Sequence, residues 1–63
     1  MPVITLAAAR VNKGLTQKEA AKALGVSHRT LWQWENGITV PKADMIDAIC
    51  ELYEIPYNNL KFR

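Results

Sequence analysis

Sixty-three residues with eight basic and six acidic side chains, a net charge of +2 and a single cysteine fit one domain, 1–63, and exclude an internal disulfide framework and a cysteine metal cluster, while the longest apolar runs fall far short of the ~20 residues a membrane span needs. At this length only about 60% of the unfolded chain's surface becomes buried, which favours helices with local contacts. Charge is unevenly spread: residues 1–34 set Arg10, Lys13, Lys18, Lys22 and Arg29 against Glu19, a net of +4, whereas residues 35–63 set Lys42, Lys61 and Arg63 against Glu35, Asp44, Asp47, Glu51 and Glu54, a net of −2.

Met1 to Ile4 reads as a short extended lead. Thr5 is placed to cap a first helix running to about Lys13, with Leu6 and Ala9 inward and Gly14 as its left-handed stop. Thr16 opens a second helix, and Glu19, three residues on, completes a capping box. Ala20, Ala21 and Leu24 mark its apolar face, while Lys18 and Lys22 lie away from it. Gly25 ends it, and Val26 plugs the turn into the core. Ser27 caps the third helix, about His28 to Asn36, whose Ser27, Leu31 and Trp34 share one side. After a loop, Pro41 suits the first turn of a fourth helix. There Met45, Ile46, Ile49, Cys50, Leu52 and Tyr53 recur at steps of three and four, while Asp44, Asp47, Glu51 and Glu54 face water. Pro56 stops this helix near Glu54, and Pro56 to Leu60 is expected to form a fifth, short helix that lays Leu60 on the core. No strand pattern, repeat or linker is visible, so the predicted class is all-α.

The outer side of the third helix collects His28, Arg29, Trp32, Gln33 and Asn36, and each of these side chains can touch a nucleic acid. Arginine donates two hydrogen bonds to guanine O6 and N7, and glutamine pairs with adenine N6 and N7. Gln33 is therefore a candidate base reader, and Arg29 either reads guanine or clamps a phosphate. His28 can bond guanine N7, contact phosphate or stand in solvent. An outward Trp32 needs a cover: thymine methyls or sugars, the first helix, or a partner. Lys13, Lys18 and Lys42 are candidates for phosphates, against the alternative of plain solvated lysines, and Cys50 reads as an inert buried thiol. Paired carboxylates, a nucleophile with its base, metal ligands and a Gly-rich phosphate loop are all missing, so neither an enzyme nor a cofactor is expected.

This spacing resembles the phage-repressor and Cro type of helix-turn-helix family, also called XRE or lambda-repressor-like. The resemblance rests on small Ala21 with Gly25 four residues later, inner Leu31 and Trp34, and the flanking Leu6, Arg10, Gly14 to Gln17, Trp34 to Gly37, Pro41, Ile46, Ile49, Leu52, Ile55 and Leu60. It implies a small five-helix domain in which helices 2 and 3 form the helix-turn-helix, and a sequence-specific regulator of transcription, expected to be a Cro-like repressor, with the third helix in the major groove of double-stranded DNA. It further implies that Arg10 and Glu35 pair beneath the recognition unit, and that Gln17 and Asn36 contact the DNA backbone, with Thr16, Ser27 and Lys42 beside them. A homodimer on a near-palindromic operator is expected, paired through the C-terminal segment, Tyr53, Ile55, Tyr57 and Leu60, or formed only on DNA. Trp32 departs from the family, where a small polar residue is common, and Ala20 stands where leucine is common, a loss of core volume that the two tryptophans are expected to refill. An antitoxin or other protein-interaction module on the same fold is the alternative. The expected location is the cytoplasm, at the nucleoid.

Overall fold

Hydroxyl side chains open the first three helices, and a left-handed residue closes all four. The computed structural model describes residues 3–62, so Met1 and Pro2 of the predicted lead, and Arg63, lie outside the described residues. The α-helices are α1 Leu6–Asn12, α2 Gln17–Leu24, α3 His28–Glu35 and α4 Ala43–Tyr53. Thr5 Oγ1 accepts from the Ala8 N–H, Thr16 Oγ1 from Glu19 and Ser27 Oγ from Thr30, each at 3.1 Å. The Thr16 N–H donates in return to Glu19 Oε1 at 2.9 Å, completing the capping box.

Each helix ends in paired backbone hydrogen bonds that fold the chain back on its last turn. At the end of α2 the Gly25 N–H donates to the Lys22 carbonyl at 3.2 Å and the Val26 N–H to Ala21 at 3.0 Å. The same pair recurs with Gly14, Gly37 and Glu54 in Gly25's place. This motif needs positive φ, which glycine adopts without a Cβ penalty. Gly25 sits at +73°, and Glu54 takes the conformation at +54° as the single non-glycine residue to do so among the described residues.

α4 departs from the expected start. Pro41 lies before the cap rather than in the first turn; Lys42 occupies the cap position and makes no side-chain capping bond there. The predicted fifth helix, Pro56 to Leu60, is a single 3₁₀ turn at Tyr57–Asn59, too short to establish an α-helical ladder. Among the described residues the fold therefore has four α-helices and one 3₁₀ turn where five helices were expected. Nor is it purely α: Leu60–Lys61 (β2) extends to pair in parallel with Ile4–Thr5 (β1), Ile4 opposite Leu60 and Thr5 opposite Lys61. Two residues per strand are too few to leave an alternating signature in the sequence.

The core gathers Leu6, Ala9, Ala20, Ala21, Leu31, Trp34, Ile49, Tyr53, Ile55 and Leu60, with Leu24, Val26, Met45, Cys50 and Leu52 half-buried against it. Ala20 and Ala21 let α2 lie close to its neighbours, and α2 packs on both α3 and α4. Of the two tryptophans expected to refill the space at Ala20, only Trp34 is buried; Trp32 is 46% exposed. α1 reaches α3 and both strands, so β1–β2 ties the two ends of the described chain to the helix that supports the recognition unit.

Candidate nucleic-acid interface

A short polar chain joins α1, α2 and α3 beneath the outer face. Arg10 Nε donates to Glu35 Oε2 at 2.7 Å and Arg10 Nη2 to Glu35 Oε1 at 3.4 Å. Arg10 Nη1 donates to the Leu15 carbonyl at 2.8 Å, which fastens the loop between α1 and α2. Gln17 Nε2 donates to Glu35 Oε1 at 2.8 Å, and His28 Nε2 lies 2.8 Å from Gln17 Oε1. With the Glu35 side chain only 4% exposed, the start of α2 and both ends of α3 are tied to one nearly buried carboxylate. Charge-assisted, forked bonds of this kind fix angles as well as contribute energy.

Neither the Gln17 bridge nor the Leu15 tether leaves a signal in the sequence: Gln17 and Glu35 lie 18 residues apart, and neither an amide nor a backbone carbonyl carries a charge that a pattern could pair. Gln17 is half-buried, its carbonyl committed to His28 and one amide hydrogen to Glu35; its second amide hydrogen is still a donor. Asn36 Nδ2 donates to the Trp32 carbonyl at 2.8 Å, closing the end of α3. Thr16 and Ser27 use their oxygens as caps, and Ser27 Oγ also shares a hydrogen with Thr30 Oγ1 at 2.8 Å.

α3 is anchored by Leu31, fully buried, and Trp34. On its other side His28, Arg29 and Trp32 are exposed and line one open cleft, with Gln33 half-buried beside them. Ile38 and Val40, in the loop that follows, are exposed too. Lys18, Lys22 and Lys42 are exposed, whereas Lys13 forms an ion pair with Glu54. Among the described residues no group of side chains is arranged to hold a metal ion, and no helix is long and apolar enough to cross a membrane.

Three titratable groups are displaced. The backbone N–H and then the hydroxyl of Thr16 hold the Glu19 carboxyl below its ordinary range. Burial, then the nearby Asp47 charge, pushes up the half-buried Cys50 thiol, which keeps it protonated and unreactive. Burial pushes Tyr53 up to about 12, with Glu35 adding to the rise and Arg10 opposing it. The Tyr53 hydroxyl is buried without a hydrogen-bond partner among the described residues.

The expected C-terminal pairing surface is largely internal. Tyr53, Ile55 and Leu60 are buried in this chain's own core: Tyr53 on the inner face of α4, and Ile55 and Leu60 where the chain after α4 folds back, the 3₁₀ turn against α4 and β2 against α1 and β1. Tyr57 alone of the four stays exposed, at 58%, its ring 5.7 Å from that of Phe62.

A helix-turn-helix family model matches residues 6–60. The chain is 45% identical over 56 residues to the type II methyltransferase M1.ScrFI of Lactococcus lactis subsp. cremoris, covering 82% of this chain and 14% of that protein. It is 35% identical over 48 residues to the antitoxin PezA of Streptococcus pneumoniae serotype 4, covering 76% and 30%. It is 31% identical over 51 residues to the cryptic phage CTXphi transcriptional repressor RstR of Vibrio cholerae, covering 81% and 46%. The chain thus spans less than half the length of each of these relatives. No solved structure gives a significant match.

Proposed function

The chain belongs to the helix-turn-helix family, of the XRE or phage-repressor kind, and from that premise we propose that it is a sequence-specific double-stranded DNA-binding transcription regulator, a repressor of the Cro type. The observation that carries this reading is the division of α3. Leu31 and Trp34 fix the helix from below, and His28, Arg29 and Trp32 stand exposed above with Gln33 beside them. A helix held this way fits the major groove, with its first residues nearest the base edges and α2 crossing the backbone.

Arg29 and Gln33 supply the two side-chain types that bond bases in pairs, each worth ~1–3 kcal/mol of discrimination. Gln17, through its uncommitted amide hydrogen, and Thr16, Ser27, Asn36 and Lys42 hold the phosphates. One helix reads only a few base pairs, so two copies act on a near-palindrome with half-sites ~10 base pairs apart. With Tyr53, Ile55 and Leu60 spent on the core, the pairing forms on the DNA, and of the four C-terminal residues Tyr57 is the one left exposed for an apolar contact. Selection of bound sequences from a random duplex pool tests the reading: a recurrent inverted repeat is expected, with affinity that falls steeply as salt rises. Recovery of unenriched sequence, or affinity indifferent to salt, rejects it.

The likeness to an antitoxin favours a second reading, in which the same domain also holds a protein partner. Co-purification with the product of a neighbouring gene separates the two.

A further inference from the structure

Donor and acceptor roles run in one direction along the polar chain beneath α3. The Glu35 carboxylate only accepts, and Arg10 already donates to both of its oxygens. Gln17 therefore turns its NH₂ toward Glu35, which sets its carbonyl oxygen against His28. That oxygen also only accepts, so the His28 nitrogen 2.8 Å away, Nε2, carries the hydrogen. Among the described residues the His28 ring makes no other hydrogen bond, so in the neutral ring Nδ1 is a bare acceptor, exposed at the first position of α3.

We propose that Glu35, acting through Gln17, fixes His28 as the Nε2–H tautomer, so that His28 reads a base bearing a major-groove amino group, adenine N6 or cytosine N4, through its Nδ1 lone pair. This rests on the DNA-binding function proposed above. It narrows the chemistry open to His28: a neutral ring whose hydrogen is held by Gln17 has no donor for guanine O6 or N7, or for a phosphate. Glu35 and Gln17 are positioning residues in this account, and the specificity lies at His28.

Two measurements test it. His28 is the sole histidine of the chain, so two-bond proton–nitrogen correlation spectra of the free protein at pH 8, where an ordinary imidazole is neutral, report its tautomer without ambiguity. The Nε2–H form alone is expected in the wild type, with Nδ1–H appearing in Gln17→Leu. A wild type rich in Nδ1–H, or a ratio the same in both proteins, overturns the relay. The second measurement takes the half-site selected from the random pool and replaces each adenine by purine and each cytosine by its 4-deamino analogue. At one position, loss of the amino group is expected to weaken wild-type binding about 5- to 150-fold and to leave His28→Ala unaffected. A His28-dependent preference for guanine or thymine overturns this inference while the DNA-binding function stands. A pool that yields no preferred sequence overturns both.

Discussion

Glu35 Oε2 accepts from Arg10 Nε at 2.7 Å across a gap of 25 residues in the chain, and the two side chains are 4% and 13% exposed. The pair ties α1 to the end of α3, so it governs the angle at which the outer face is presented as well as stability. A nearly buried ion pair is costly to break from one side, because the remaining charge is stranded. Glu35→Ala is therefore expected to lose ~3–5 kcal/mol in urea unfolding. For so small a domain that is a large part of the whole. Arg10→Met combined with Glu35→Leu should lose less than Glu35→Ala alone, short of full recovery because the Leu15 carbonyl also forfeits its donor. A Glu35→Ala midpoint equal to that of the wild type would remove the pair as a brace.

α4 is the helix whose ends were least well chosen for stability. Glu54 adopts φ +54° where the other three helices use glycine, and Lys42 sits at the cap without a capping bond. Glu54→Gly should stabilise the fold by ~1 kcal/mol through relief of the left-handed backbone, since the exposed pair with Lys13 is worth little. Gly25→Ala should cost a similar ~1–2 kcal/mol; nothing lies within 4 Å of the added Cβ, so the penalty is purely conformational. Thermal melts of the two variants moving in the same direction would contradict this.

Lys42→Ser separates stability from function at the other end of α4. A serine supplies the missing cap and should add ~0.5–1 kcal/mol, while loss of the charge should weaken DNA binding alike for all sequences and reduce the salt slope by about 1. An unchanged salt slope would return Lys42 to the ordinary solvated lysines.

Much of the helical frame could be read ahead of the structure because its signals are local. Thr16 with Glu19, Gly25, and the inner pair Leu31 and Trp34 each act within a few residues, where spacing alone reports geometry. The parallel β1–β2 contact and the Gln17 bridge join distant points of the chain, and although Leu60 is expected on the core, the sequence also assigns it to a pairing surface together with Ile55. Ile55 and Leu60 illustrate the difficulty: a short apolar segment around a proline has the same composition whether it closes its own core or a partner's. At the candidate interface the exposed side chains of α3 were identifiable from periodicity, whereas the direction of the Gln17 amide depends on a carboxylate 18 residues later.

Tyr53 links stability to alkaline pH. Its hydroxyl titrates at about 12 in the folded chain against ~10 for an ordinary tyrosine, so the folded state holds that proton more tightly. The sign follows directly: the contribution is complete below pH ~10 and is lost as pH rises through ~12. Tyr53→Phe should remove this loss, so the stability difference between variant and wild type widens in the variant's favour over that range. Near neutral pH it should already gain about 1 kcal/mol, because a buried hydroxyl without a partner is eliminated. Urea midpoints of the two proteins at matched pH values check both statements, and a difference that is constant with pH would rule out Tyr53 as the linked group.

Trp32 is 46% exposed in a cleft shared with His28 and Arg29, and an apolar ring there is best satisfied by apolar groups in the groove. If it covers a thymine methyl, replacing that thymine by uracil should weaken the wild type by ~0.8 kcal/mol, the value of one buried methyl-sized group, or about fourfold. Trp32→Ala should bind more weakly and no longer distinguish thymine from uracil, whereas Trp32→Phe should retain part of the discrimination. A Trp32→Ala protein that still senses the methyl would place the ring elsewhere. If the wild type instead sediments as a dimer without DNA and Trp32→Ala does not, the ring covers a second copy of the chain.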